Sequence, residues 1–229
     1  YIRAIFKWCN LKGRLEIFDK ANFLIKYTIL LNKLELKFLK YVFLCYNLYI
    51  RGVINMPSHM IHLAIATDIN KELKLNSDEI MLGSVMPDLC ESGHTKAHYP
   101  DENQKTKATA TPTLFIKKNK KYLNNPIFVG ILIHLLTDKF YNSYFFDNYY
   151  IYDKNNKSIG LRIKNKDVYL PSDEIKKMKH QEFDKYDKYL LLYKKMNKFQ
   201  NISCIDNVIN YDKNIYNKEK LKAYITKYN

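Results

Sequence analysis

The chain has 229 residues, 47% hydrophobic and 14% aromatic, which argues against intrinsic disorder and allows one sizeable core. Its net charge of +15 is uneven: residues 1–55 carry +7, residues 56–148 balance to 0, and residues 149–229 carry +8. A nucleic-acid binder concentrates basic surface on its functional segment; here the segment richest in chemistry is the neutral one, so nucleic acid ranks low as a partner.

Lys, Asn, Ile and Tyr are abundant while Gly and Pro are scarce, the bias of an AT-rich genome, so single lysines carry little functional weight. Cys9, Cys45, Cys90 and Cys204 are dispersed and form no CxxC pair, which points to a reducing compartment and away from a zinc–thiolate site. No run approaches the roughly 18 apolar residues of a membrane span. The nearest, YVFLCYNLYI at residues 41–50, is short and interrupted by Asn47. With no signal peptide in view, the expected location is cytoplasmic, with peripheral membrane contact through the basic helices.

No Met precedes Met56, and residues 1–55 differ from the rest: no Pro, two Gly, and blocks of Leu, Phe, Tyr, Ile and Lys. They read as a doubtful N-terminal extension, translated upstream sequence, with Arg51-Gly52 encodable as a purine-rich ribosome-binding site before Met56. Residues 56–229 read as a single domain, with a motif core over 56–148 and a basic helical part over 149–229.

In chain order, residues 59–75 predict a first helix, with Ile61, Ala64, Ile65 and Ile69 at helical spacing. Asn76 with Glu79 three residues on predicts a cap, and Pro87 predicts a helix end near Val85, leaving Asp88 just past a sharp break. Residues 89–104 predict a polar loop. Residues 105–123 hold a further helix. Asn125 and Pro126 open a helix predicted to run to about Phe146. A β-hairpin is predicted within 149–165, then a helix capped by Ser172 and reaching about Phe199, then one or two helices. The expected class is mainly α, a multi-helix bundle.

Five of the six histidines, His59, His62, His94, His98 and His134, fall in the neutral segment; His180 is downstream. ILIHLLTDKF places His134 and Asp138 four residues apart, on one helix face. A carboxylate in an apolar setting costs several kcal/mol unless paired or metal-bound. By itself HxxxD fits a simple His–Asp pair. With His62 on an apolar helix face, Asp88 at the Pro break and His98 in the following loop, it becomes a nitrogen and oxygen ligand set without thiolates, suited to zinc.

MPSHMIHLAIATDI, LGSVMPDL, KAHY and GILIHLLTDKFY, in this order, resemble the zinc-dependent phospholipase C family, and its short, mostly uncharacterised bacterial branch in particular. The resemblance spans Met56 to about Phe146. It implies an α-helical bundle of the type shared with P1 nucleases and metal ligands at His62, Asp88, His98, His134 and Asp138. It also implies a phosphodiester substrate, phospholipid foremost, hydrolysed by water activated on zinc, with Asp88 orienting or deprotonating that water. The family's N-terminal tryptophan ligand has no counterpart, since Trp8 is the only Trp. Its further His and Glu ligands after the HxxxD helix are also missing, so one or two zinc ions are expected rather than three. His59, His94, and the second HxxxD pair His180 and Asp184 are additional metal candidates, each read first as solvent-exposed. Two other functions are open: a nuclease-like phosphodiesterase, and a non-catalytic zinc-stabilised module that binds membrane or protein. An HD-type phosphohydrolase is set aside because no His-Asp dipeptide occurs.

Overall fold

A computed structural model describes residues 58–90, 94–100, 110–155, 157–163, 165–193, 198–201, 203, 205–206 and 218–229. The expectation for residues 1–55 lies outside the described residues. The described part is mainly helical with one small antiparallel sheet.

Helix α1 (His59–Leu73) starts at Ser58, whose hydroxyl accepts the Ile61 N–H, and stops at Lys74 in the left-handed region, φ 54°. Asn70 reaches past this stop: its carboxamide accepts from Leu75 N at 2.9 Å and donates to Leu75 O at 3.1 Å, turning the chain into α2 (Ser77–Val85). Asn76 caps α2 as its spacing predicts, accepting from Glu79 N at 3.2 Å. The α-helix does end at Val85, yet the break is gentler than Pro87 suggests. Met86 keeps right-handed helical angles, and residues Met86–Leu89 form a 3-10 turn. Proline is tolerated there because the first N–H groups of a helical turn have no intrahelical partner.

The expected loop over 89–104 contains a short helix, α3 (His94–Ala97). Helix α4 (Pro112–Asn119) follows, within the expected stretch around TLFIKKNKKYL, and passes into a 3-10 turn over Lys120–Tyr122. Helix α5 (Pro126–Tyr149) is the longest element among the described residues, 24 residues. Asn125 caps it through Ile127 N at 2.9 Å. It is apolar almost all round, the pattern of a helix enclosed by others; Ile131, Ile133 and Leu135 are fully buried.

Helices α2 and α5 meet backbone to backbone. A Cβ on Gly83 would lie 2.1 Å from Ile127 O, and one on Gly130 would lie 2.3 Å from Ile80 O. No other residue fits either position, and this contact brings the end of α2 against the first turns of α5. Leu63, Ile65, Ile80, Leu82, Ile131 and Leu135 complete the core between α1, α2 and α5.

The predicted hairpin is a three-stranded sheet, β1 (Tyr150–Tyr152), β2 (Ser158–Ile163) and β3 (Lys166–Tyr169), in the order β1-β2-β3. The third strand, KDVY, is mostly exposed and has no apolar alternation by which to recognise it. Helix α6 (Ser172–Tyr193) begins one residue earlier than expected: the Pro171 carbonyl accepts the Ile175 N–H, and Ser172 lies inside the first turn. The Ser172 hydroxyl pairs with that of Ser158 at 3.4 Å. Helix α6 is described as far as Tyr193; residues 194–197 lie outside the described residues, and Phe199 is buried in a non-helical segment. The last helix is α7 (Lys218–Tyr228).

Buried Asp78 anchors the C-terminal part, accepting Gln200 N at 2.9 Å and Asn201 N at 2.7 Å. The Asn229 carboxamide closes on Phe199, accepting from its N at 2.9 Å and donating to its O at 3.0 Å. No helix among the described residues is long and apolar enough to cross a membrane.

Candidate metal centre

The five predicted ligands converge from four elements. His62 comes from α1, Asp88 from the 3-10 turn, His98 from the residue after α3, and His134 and Asp138 from one face of α5. All three Nε2 atoms point inward. His98 Nε2 lies 2.9 Å from His134 Nε2, 3.1 Å from Asp138 Oδ2 and 3.4 Å from Asp88 Oδ1. His134 Nε2 lies 3.2 Å from Asp138 Oδ2 and 3.8 Å from Asp88 Oδ1. Donors about 2.0–2.1 Å from a zinc ion stand about 3.3 Å apart at tetrahedral corners. The spacings of these four residues scatter around that value.

His62 stands on the other side of Asp138. Its Nε2 is 3.4 Å from Asp138 Oδ1 and 3.9 Å from Asp88 Oδ2. Its ring stacks on that of His134 at 3.8 Å. Both carboxylates therefore turn one oxygen toward the His98–His134 pair and the other toward His62. His134 has a single nitrogen to offer, because its Nδ1–H donates to the Ser84 carbonyl at 2.8 Å. Both residue groups that could hold an ion, His62–His134–Asp138 and Asp88–His98–His134, would draw on that one nitrogen.

The surroundings are compatible with a bound metal ion. His62 is completely buried, and neither ring nitrogen makes a hydrogen bond of good geometry, Asp138 Oδ1 standing 3.4 Å from Nε2. A buried unsatisfied polar group costs about 1–3 kcal/mol, and an ion would satisfy Nε2. The Ser84 carbonyl behind His134 is the backing that metal-binding imidazoles usually have, setting tautomer and ring orientation. The Gly83–Gly130 contact is what lets Ser84 come that close.

Charge in the cluster is already arranged around a proton. Burial, and then the neighbouring His134, push His62 down to about 4, so it is a neutral ring at pH 7. Burial also opposes charge on His98, but the Asp138 and Asp88 carboxylates outweigh it and raise His98 to about 10. Burial would raise Asp138, but His134, His62 and His98 around it hold it well below the usual carboxylate range. With His134 Nδ1 donating to Ser84, the 2.9 Å contact has His98 Nε2–H donating to His134 Nε2.

Tyr99 fixes the His98 segment. Its backbone is in the left-handed region, φ 50°, a conformation uncommon for a side-chain-bearing residue and often found beside functional sites. Helix α4 holds it there: Asn119 Nδ2 donates to the Tyr99 hydroxyl at 3.2 Å, and Phe115 packs edge-on at 5.2 Å.

Among the additional candidates, His59 is half-exposed, as expected, but its Nε2 also comes within 3.6 Å of Asp88 Oδ2. Asp184 is exposed on α6. The side chains of His94 and His180 lie outside the described residues. Sequence reasoning missed Ser84, Tyr99, and two residues from the C-terminal part, Tyr224 and Asp187. Tyr224 meets the His59 ring edge-on at 5.2 Å, and Asp187 hydrogen-bonds Ser58 next to His59. No local pattern marks any of them, since each acts through a long-range contact.

Comparison with known proteins finds no matching family model, no similar curated protein and no similar solved structure. The described residues define a mainly helical protein whose buried histidine–carboxylate groups, His62–His134–Asp138 and Asp88–His98–His134, could hold a metal ion.

Proposed function

We propose that the chain is a zinc-dependent phosphodiester hydrolase of the phospholipase C kind, acting on a phospholipid-like substrate with one or two zinc ions. The observation that carries this reading is His62: a fully buried imidazole without a hydrogen bond of good geometry, facing two carboxylates that also face a His98–His134 pair. Three imidazoles and two carboxylates without a thiolate suit zinc, the borderline ion among nitrogen and oxygen ligands.

Bound zinc supplies Lewis acidity toward phosphoryl oxygens and water whose pKa falls to about 7. The chain's own residues divide the remaining work. His62, His134 and Asp138 would hold an ion as one group, and Asp88, His98 and His134 as the other. Asp88 is the more exposed carboxylate, so it is the one able to orient that water and accept its proton. Leu135, Leu136 and Ile133 on α5 keep bulk water away from the inner side.

The test is zinc content together with turnover of bis-p-nitrophenyl phosphate and phospholipid. Zinc bound with turnover lost in Asp88→Asn is expected. Zinc bound with no turnover on either substrate or on single-stranded nucleic acid would leave a zinc-stabilised module instead. No zinc bound would refute the centre itself.

A further inference from the structure

The exposure of the cluster runs in one direction. Side-chain exposure is 0% for His62 and His134, 15% for Asp88 and 36% for His59. Solvent therefore reaches the centre past His59 and Asp88. The wall on that side belongs to the far end of the chain: α7 packs against the 3-10 turn that carries Asp88, and its Tyr224 ring meets His59 edge-on at 5.2 Å. Lys220 lies one helical turn before Tyr224, on the same face of α7, and is exposed.

We propose that α7 supplies the substrate edge of the centre, Lys220 and Tyr224 joining His59 in a lip that binds the non-bridging oxygens of a phosphate group. This rests on the zinc reading given above. The chemistry of the lip suits such a ligand. Lys220 is an exposed lysine on the face of α7 that carries Tyr224, and Tyr224 brings a phenol to that same face beside His59. The lip is not uniformly cationic, because Asp187 faces His59 from α6. With Asp88 and Asp138 behind, the metal-free centre carries carboxylates that repel an anion. Metal charge must be in place before phosphate is favoured.

The experiment is calorimetric titration of inorganic phosphate into the full chain, zinc-loaded and metal-free, for wild type, Lys220→Ala, Tyr224→Phe and Lys222→Ala. Lys222 is exposed on the same helix but off the Lys220–Tyr224 face, so it controls for general loss of positive charge. The expected result is phosphate binding only when zinc is loaded, weakened at least threefold by Lys220→Ala and by Tyr224→Phe, with zinc content unchanged and Lys222→Ala close to wild type. The proposal is overturned by equal effects of Lys220→Ala and Lys222→Ala, by a loss of zinc in Lys220→Ala, or by zinc-loaded wild type that binds no phosphate. Failure of the underlying reading looks different: wild type that takes up no zinc overturns both, whereas phosphate bound at the lip without phosphodiester turnover upholds the lip and defeats the hydrolase.

Discussion

Replacing His62 by leucine separates a residue kept for metal from one kept for packing. His62 is fully buried, stacked on His134 at 3.8 Å, with no hydrogen bond of good geometry at either ring nitrogen and Asp138 Oδ1 3.4 Å from Nε2. Each unsatisfied buried polar atom costs about 1–3 kcal/mol. An apolar side chain of similar volume removes that cost and adds about 1–3 kcal/mol of imperfect fit. The expected net is a metal-free variant about 1–3 kcal/mol more stable than wild type. For a chain of this size that raises the melting temperature by about 2–10 °C. Zinc reverses the order. An ion held only by the folded protein, at 1,000 times its dissociation constant, adds about 4 kcal/mol per site, and the variant loses the site that His62 completes. Thermal unfolding after chelation, then at saturating zinc, with metal content by atomic absorption, measures both. The reasoning is refuted if metal-free His62→Leu is less stable than wild type while it binds as much zinc.

Asp138→Asn removes the carboxylate that lies within 3.4 Å of three imidazoles, so zinc content should fall below one ion per chain, and His134→Ala should do the same; full metal in both would reduce the pair to a structural role. At pH 7 His98, raised to about 10, carries a proton, whereas His62, lowered to about 4, does not. Zinc entering the His98–His134 set must therefore displace about one proton, and affinity should fall as pH falls; calorimetry in buffers of different ionisation enthalpy reads the proton, and a buffer-independent heat would contradict the assignment. Gly130→Ala would put a methyl group 2.3 Å from Ile80 O, so a loss of about 2–4 kcal/mol is expected in chemical denaturation, with weaker zinc binding as Ser84 withdraws from His134. His180→Ala should leave zinc content unchanged, and a loss would promote the downstream HxxxD to a ligand pair.

What the sequence determined by itself was local. Helical spacing placed His134 and Asp138 on one face, Asn76 and Asn125 announced their caps, and Pro87 ended α2 at Val85, because each of these effects acts within one or two turns of chain. The buried histidine–carboxylate cluster was legible for a similar reason: carboxylates and imidazoles set in apolar surroundings stand out wherever they are written. Its completion was not. Gly83 and Gly130 are unremarkable letters until two helices touch through them, and only that contact carries the Ser84 carbonyl to His134. Strand β3 hid because its residues are mostly exposed and owe their conformation to pairing with β2. Tyr224 and Lys220 lie more than 80 residues from the last ligand, Asp138, and only the packing of α7 on the Asp88 turn brings them to the edge of the centre. Which groups back the ligands, and which side of the cluster faces solvent, are matters of long-range packing that only the tertiary structure decides.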